Sequence, residues 1–491
     1  MNIIFFQQLR MIRKENFYIC QKRAMTLIRS ISGIRGTIGG KPGEGLTPID
    51  IVKYAAGYAS WLGSRHPGEK LRVVLGRDAR VSGGMISDLV TGTLLGMGVD
   101  VLEIGLTTTP SAELAVIEAG AHGGIMITAS HNPAQWNALK MLDHRGEFLS
   151  EKEGEEVLRI SEKGIFIFSE TNKLGSYSYD DSSIQKHIDK ILALTEVDIK
   201  AIKKANLSVV VDAVNSTGGI AVPLLLKALH AAKVHELYCE PNGLFPHDPE
   251  PLPANLRELC DRVVKEKADL GIAVDPDVDR LAFVNELGEP FGEEYTLVAV
   301  ADYILGIHPG NTVSNLSSTQ ALKMITEKAG VKWHASAVGE VHVVEKMKET
   351  DAIIGGEGNG GVIYPPLHYG RDALAGIALF LTHLAKSGKK CSELRDSYPD
   401  FFISKNKIEL DEGTDTGKLI EKIREKYHSH PLTDIDGIKI HFDKEWVHLR
   451  RSNTEPVIRI YAESDHMEKA DNLARKIIQD LREILNGTSG V

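Results

Sequence analysis

The sequence predicts an α/β protein made of three similar mixed α/β domains followed by a smaller α+β C-terminal domain. Three observations lead there. At 491 residues the chain is too long for one compact domain, since roughly 100–200 residues per domain is usual. From Met25 onward, short apolar strands alternate with stretches of helical period, the mark of α/β architecture. A strand running into a loop of small polar residues before a helix also occurs three times, at 76–83 (GRDARVSG), 212–219 (DAVNSTGG) and 314–319 (SNLSST). This is a weak internal repeat. Residue identity among the three is slight, so unrelated α/β domains stay open as an alternative.

The elements follow in order. Thr47 and Pro48 supply an N-cap and a first helical residue for a helix to about residue 62. Residues 71–76 read as a strand, 84–96 as a helix, and 99–105 and 124–128 as strands. The cycle restarts with a strand at 207–212, a helix near 220–231 and a buried strand at 269–275. It restarts again with a strand at 311–316, a helix at 319–329 and a strand at 352–355. The tail differs. Residues 438–442 and 446–449 read as paired strands, and 457–463 alternates with period two. Residues 467–485 place Leu473, Ile477, Ile478, Leu481, Ile484 and Leu485 at helical spacing, which core packing explains. The domains are expected at 25–178, 179–288, 289–403 and 404–491. Met1–Ala24 stands apart: its basic residues follow a short apolar start, the reverse of a signal peptide. It reads as a non-native extension, with Met25 as the working start.

Composition narrows the function. Hydrophobic residues make up 42% and charged residues 25%, ordinary globular usage, which excludes disorder. No apolar run approaches the roughly 20 residues of a membrane span. A net charge of −10 argues against unspecific nucleic-acid binding, which needs clustered Lys and Arg. Cys20, Cys239, Cys260 and Cys391 are scattered, fitting neither a disulfide framework nor a zinc site.

Four loops can carry chemistry. Asp275, Asp277 and Asp279 lie in DPDVDR straight after an apolar strand. Flat, the outer two would stand about 13 Å apart, so the segment must curve to offer a Mg²⁺ ion oxygens at about 2.1 Å. An EF-hand fails, because Arg280 replaces the glycine needed at its sixth place and 281–284 reads as strand. A solvated acidic turn is the weaker reading, since three like charges this close repel without a cation. Ser130, in ITASHNP, follows the strand at 124–128, where α/β sheets place ligand sites. His131 cannot be assumed to activate it, because neighbours in extended chain point opposite ways; alone, SHNP is a turn. Lys140 could supply a cation beside it. GGEGNGG (355–361) formally contains G-x-G-x-x-G, but Pro365 and Pro366 exclude the helix a dinucleotide site requires. It offers Glu357 and Asn359 to vicinal sugar hydroxyls, although a plain turn also explains its glycines. RRSNTEPVIR (450–459) gathers donors that could hold a phosphate dianion, or form a surface salt-bridge cluster.

Together these loops are far more specific. TASHNP with Lys140, DPDVDR, GGEGNGG and RRSNTEP stand in the order found in the α-D-phosphohexomutase family, and SGIRG (32–36) and GRDAR (76–80) match its N-terminal signatures. The chain resembles that family from Met25 to about Leu485. The resemblance implies four domains around a central cleft, and an isomerase that interconverts hexose 1- and 6-phosphates. It implies Ser130 as the phosphoserine, and one Mg²⁺ held by Ser130, Asp275, Asp277 and Asp279. Arg35 and Lys140 would stand near the moving phosphoryl. Arg280, Glu357, Asn359, Arg450, Ser452, Asn453, Thr454 and Arg459 would bind substrate, with hexose 1,6-bisphosphate as intermediate and activator. The expected partners are small phosphosugars, with no nucleic acid or membrane, for a cytoplasmic monomer or homodimer. The sugar loop and VGEVH (338–342) look most like the branch with archaeal-type phosphoglucosamine mutases. Glucosamine phosphate is therefore the expected substrate, with glucose or mannose phosphate as the alternative. A metal-dependent phosphatase and an inactive phosphosugar-binding protein are rivals. One position departs from the pattern: many members carry His after the sugar loop, where this chain has Gly361. His368 is the nearest titratable residue downstream, and with an ordinary pKa near 6.5 it would suit proton exchange or sugar orientation. Simple packing is the equal alternative.

Overall fold

The computed structural model describes residues 25–30, 33–410, 414–451 and 457–488. Met1–Ala24, Ser32, Ser452, Asn453 and Thr454 lie outside the described residues.

The first unit contains β1 (Ile28–Ser30), β2 (Gly33–Thr37), α1 (Pro48–Arg65), β3 (Arg72–Arg77), α2 (Gly83–Gly96), β4 (Asp100–Leu106), α3 (Thr109–Glu118), β5 (Gly123–Ile127), β6 (Trp136–Leu142), α4 (Glu151–Lys163) and β7 (Tyr177–Tyr179). Helix α1 begins as its sequence dictates. Thr47 closes a capping box with Asp50, and Pro48 sits in the first turn, where its missing N–H has no partner to lose. The second unit contains α5 (Ser183–Leu192), α6 (Ile199–Ala205), β8 (Ser208–Asp212), α7 (Gly218–Ala228), β9 (Lys233–Leu237), α8 (Arg257–Glu266), β10 (Leu270–Val274) and β11 (Leu281–Asn285). The third contains α9 (Glu293–Ile307), β12 (Thr312–Asn315), α10 (Gln320–Lys328), β13 (Trp333–Ser336), α11 (Glu340–Glu349), β14 (Ile354–Glu357), β15 (Gly361–Ile363), α12 (Ala373–Ser387) and α13 (Cys391–Arg395). The last is an antiparallel sheet with two helices: β16 (Phe402–Glu409), α14 (Thr416–Lys426), β17 (Leu432–Thr433), β18 (Ile438–His441), β19 (Trp446–Arg451), β20 (Val457–Ser464) and α15 (Met467–Thr488).

The repeat glimpsed in three loops is a repeat of topology. The order β6-β5-β3-β4 within the seven-stranded sheet recurs as β11-β10-β8-β9 and as β15-β14-β12-β13. Each time a central strand has two parallel neighbours, and one of these turns back through an antiparallel hairpin. Those hairpins, β5–β6, β10–β11 and β14–β15, carry the Ser130 loop, the triple-aspartate loop and the glycine-rich loop. One place in the architecture thus delivers three different chemistries.

The second and third units share a hydrophobic core that runs from Ile184 and Val211 through Val278 and Phe283 to Phe380 and Leu394. At its centre Phe283 stacks on Phe380 with ring centroids 3.8 Å apart, and Phe291 meets Phe380 edge-on at 5.3 Å. The first and fourth units have cores of their own.

Candidate active site

Ser130 sits just beyond β5 with φ +48°, a left-handed conformation uncommon for any residue but glycine. The surroundings enforce it. Ser130 N–H donates to Thr128 Oγ1 at 2.9 Å, and Thr128 Oγ1 donates to Asp78 Oδ2 at 2.7 Å. The buried Arg80 guanidinium donates to the carbonyls of Ser130, Asn132, Pro133 and Trp136. The GRDAR motif therefore frames the serine loop from beneath. The same backbone turn corrects an expectation: extended-chain geometry would separate Ser130 from His131, but His131 Nδ1 lies 3.4 Å from Ser130 Oγ. Desolvation, then the charge of Arg280, holds the His131 ring well below the usual imidazole pKa, so it is neutral at pH 7.

Ser130 Oγ donates to Asp275 Oδ2 at 2.7 Å, joining the hairpins of the first two units. The triple-aspartate loop reverses at Val278, whose φ of +62° is rare for a branched residue and costs roughly 1–2 kcal/mol. Burial of Val278 in the shared core offsets that strain. The reversal brings ligand atoms of Asp275, Asp277 and Asp279 within 4.8 Å of one another. Lys140 Nζ reaches Asp277 Oδ2 at 2.7 Å and Asp279 Oδ2 at 3.4 Å, and Thr109 Oγ1 reaches Asp277 Oδ2 at 2.5 Å. Asp277 Oδ1 and Asp279 Oδ1 are buried with no hydrogen-bond partner among the described residues. Hard carboxylate oxygens with spare lone pairs suit a divalent cation such as Mg²⁺. Burial, then repulsion from Asp279 and Asp277, holds the Asp275 carboxyl well above its usual pKa. Burial would also raise Asp279, but Arg371 and Lys140 outweigh it and hold that carboxyl low.

The glycine-rich loop arrives from the third unit. Glu357 is buried: Oε1 accepts from Asn315 Nδ2 at 2.8 Å and Gly339 N at 2.9 Å, while Oε2 accepts from Arg371 Nη1 at 2.7 Å. Asn359 turns inward on its own loop, with Oδ1 accepting from Gly361 N at 3.1 Å. Arg371 reaches beyond Glu357. Its Nη2 donates to Asp279 Oδ2 at 2.7 Å, and its Nε lies 3.1 Å from Glu340 Oε2, so one guanidinium joins the triple-aspartate loop to the glycine-rich loop. It also occupies the space above Gly361, where a Cβ would fall 2.4 Å from Arg371 Cδ. The room that a side chain at 361 would need is filled by Arg371.

His368 does not take that place. Its Nδ1 lies 3.1 Å from Glu113 Oε2 and its Nε2 3.2 Å from Asp372 Oδ2. Burial alone would lower its pKa, but the bonds to Asp372 and Glu113 push it up to about 10. This corrects the expectation of a near-neutral proton exchanger. Glu113 is itself raised, by burial first, to about 8. A folded pKa above the unfolded one gives stabilisation that is complete below about pH 6.5 and lost as pH rises through about 10. His368→Ala should accordingly cost about 3 kcal/mol near pH 6 and clearly less near pH 10, read by denaturant unfolding. Equal losses at both pH values would contradict an ionic role.

The remaining candidates lie around these loops. Arg280 Nη1 pairs with Glu250 Oε1 at 2.6 Å. Burial, then repulsion from Arg280, lowers the pKa of the Arg35 guanidinium. In the fourth unit Arg450 and Arg459 stand opposite each other on β19 and β20, and Arg450 Nη1 lies 3.3 Å from Asp436 Oδ2. Sequence reasoning missed Thr109, Glu113 and Glu340. The first two lie on α3, and Glu340 lies in the VGEVH segment.

Comparison with known proteins agrees between residues 27 and 479. Residues 27–167, 185–288 and 292–401 match the three alpha/beta/alpha domains of phosphoglucomutase/phosphomannomutase, and 407–479 match its C-terminal domain. A phosphoglucomutase/phosphomannomutase of Thermococcus kodakarensis is 36% identical over 458 residues, covering 92% of this chain and 99% of the relative. A phosphoglucosamine/phosphogalactosamine mutase of Sulfurisphaera tokodaii is 33% identical over 464 residues, covering 93% and 98%. The crystal structure of a phosphoglucomutase/phosphomannomutase family protein from Burkholderia thailandensis superposes with a TM-score of 0.79 at 26% identity, covering 95% of this chain and 99% of that one. Among the described residues no helix is long and apolar enough to cross a membrane.

Proposed function

The chain belongs to the phosphoglucomutase/phosphomannomutase family, whose named members are isomerases, and on that premise we propose that it interconverts hexosamine 1- and 6-phosphates through a phosphorylated Ser130. The observation that carries this reading is the 2.7 Å contact of Ser130 Oγ with Asp275 inside the cluster of three aspartates and Lys140.

Phosphate monoesters react very slowly unaided, so the site must position and neutralise. Asp275, Asp277 and Asp279, with an oxygen of phosphorylated Ser130, would hold Mg²⁺, which supplies Lewis-acid neutralisation of phosphoryl charge. Lys140, kept protonated by Asp277 and Asp279 despite its burial, adds a fixed positive charge. In the first step the bond from phosphorus to Ser130 Oγ breaks and a bond to the free sugar hydroxyl oxygen forms. The hydroxyl proton leaves the sugar, and neutral His131 stands near enough to Oγ to relay it. The bisphosphate then turns within the cleft and returns its other phosphoryl to Ser130. Glu357 and Asn359 would hold the sugar hydroxyls, Arg35 and Arg280 the phosphoryl, and Arg450 and Arg459, with Ser452, Asn453 and Thr454, the distal phosphate. Closure that excludes water would prevent hydrolysis.

An amino sugar is supported by Glu340. It borders a cavity of about 190 Å³ together with Phe148, Val344 and Tyr369. Its Oε2 has no hydrogen-bond partner among the described residues, because the 3.1 Å contact with Arg371 Nε is misaligned. An ammonium group on a sugar seated in that cavity would meet the Glu340 carboxylate as a second cation beside Arg371. The Thermococcus relative's name favours glucose and mannose phosphates as the second reading. The 1-phosphates of glucosamine, glucose, mannose and N-acetylglucosamine, assayed side by side, decide the matter. A mutase yields 6-phosphate, a phosphatase yields inorganic phosphate, and a binding protein yields neither. We expect Glu340→Gln to lower kcat/KM for glucosamine phosphate by about 10-fold, the worth of one charge-assisted hydrogen bond, and to change glucose phosphate turnover little. Equal effects on both sugars would remove Glu340 from substrate choice.

A further inference from the structure

We propose that Asp372 and His187 are positioning residues, which hold Arg371 between the metal loop and the sugar loop by tying the 368–372 turn to the first two units. The observation is a line of buried hydrogen bonds through three units. Thr108 Oγ1 donates to Ser111 Oγ at 2.7 Å, Ser111 Oγ lies 2.9 Å from His187 Nδ1, and His187 Nε2 lies 2.8 Å from Asp372 Oδ2. Thr108, Ser111, His187 and Asp372 are each exposed by 1% or less. Since Ser111 Oγ accepts from Thr108, its own proton points at Nδ1, and the imidazole proton sits on Nε2 to be donated to Asp372. The order Ser–His–Asp evokes nucleophilic catalysis, but no substrate can reach a serine sealed this way. Its product is position.

Asp372 is the junction. Its Oδ2 meets His187 and also His368 at 3.2 Å, while its Oδ1 caps α12 by accepting from Leu374 N at 2.9 Å and Ala375 N at 3.0 Å. Its own N–H donates to Val362 O at 2.8 Å. The residue before it, Arg371, faces three carboxylates: Asp279, Glu357 and Glu340. Hydrogen bonds to Asp279 and Glu357 orient the guanidinium, but a long side chain can make them from more than one placement of the turn that carries it. The backbone must select that placement, and Asp372 fixes the backbone. The other end of the line completes the argument. Beside Thr108, Thr109 holds Asp277 through its N–H at 2.9 Å and its hydroxyl at 2.5 Å. One turn of α3 therefore grips the metal loop directly and the Arg371 turn through His187. The register between the two depends on a histidine that touches neither substrate nor metal.

The activity readout rests on the function proposed above, so the test includes a second readout without sugar. In the full-length chain, His187→Gln keeps an amide nitrogen near the place of Nε2, whereas His187→Asn cannot reach Asp372. At saturating Mg²⁺ and sugar phosphate, His187→Asn should lower kcat by about 10-fold with KM nearly unchanged, and His187→Gln should restore most of it. By calorimetry with Mg²⁺ alone, the dissociation constant should shift by about threefold or more in the Asn variant and return in the Gln variant. If the Asn variant fails to fold, Ser111→Ala replaces it, with a smaller loss of kcat in the same direction expected. Wild-type kcat and Mg²⁺ affinity in the Asn variant, or in Ser111→Ala where it stands in, would overturn the proposal. Equal losses in the Asn and Gln variants that merely follow their unfolding midpoints would overturn it too. If the wild type converts no sugar phosphate, the proposed function fails, and the Mg²⁺ readout still decides this one.

Discussion

Ser130→Ala should lower mutase turnover by roughly 10⁴-fold or more, even with hexose 1,6-bisphosphate supplied. Alanine offers no atom to carry the phosphoryl group, and no other hydroxyl is described in hydrogen-bond contact with Asp275. The loss should be chemical rather than structural. The bonds that shape the loop use the Ser130 backbone, from its N–H to Thr128 and from Arg80 to its carbonyl. Alanine also meets the same left-handed φ that serine already tolerates. Intact-mass and peptide mapping of active wild type should place about 80 Da at Ser130, one phosphoryl group. Wild-type turnover in the alanine variant, or phosphate found elsewhere instead, would end the assignment.

Chelation should remove activity reversibly, and Asp277→Asn should weaken Mg²⁺ by about 100-fold, because affinity here follows the number of ligand charges. The size of the stability change separates this from simple damage. Without metal the three buried carboxylates repel, relieved only in part by Lys140 and Arg371. Removing one charge relieves that repulsion but also takes the nearest anion from Lys140, so the two effects oppose and the metal-free variant should differ little from the metal-free wild type. Adding Mg²⁺ at about 100 times its Kd should then stabilise the wild type by about 2.7 kcal/mol and the variant far less. Turnover that survives chelation, or a wild-type unfolding midpoint indifferent to Mg²⁺, would refute the metal loop.

The chemistry that was legible in the sequence lay in contiguous loops. DPDVDR announced three carboxylates on one short segment, and its rejection as an EF-hand holds, since β11 begins right after Arg280. The C-terminal strands and helix were legible by period alone. What escaped was chemistry assembled from distant segments. Nothing near Arg371 signals that its guanidinium will lie on Asp279, more than ninety positions away in the chain. Thr109 opens α3, a helix absent from the sequence reading, and its hydroxyl serves Asp277. His368 was misjudged because the pKa of a histidine belongs to its neighbours, and Glu113 and Asp372 meet it only in the folded chain. Likewise, His131 was set aside on a rule for extended backbone that Ser130 does not obey.

The core common to the second and third units has a consequence for motion. Sliding those units past each other would unstack Phe283 from Phe380 and open a close-packed interior, so they form a single stiff floor. The triple-aspartate loop and the glycine-rich loop both stand on that floor, so the distance between them is built in, and a metal and a sugar bound as proposed would keep a fixed separation from one turnover to the next. The first unit is tied to that floor by the buried contacts of Ser130, Thr109 and Ser111, so the fourth, resting on its own core, is the wall left able to swing. Under the proposed reaction, a bisphosphate that has to turn end for end would do so over fixed ground, with the fourth unit moving around it.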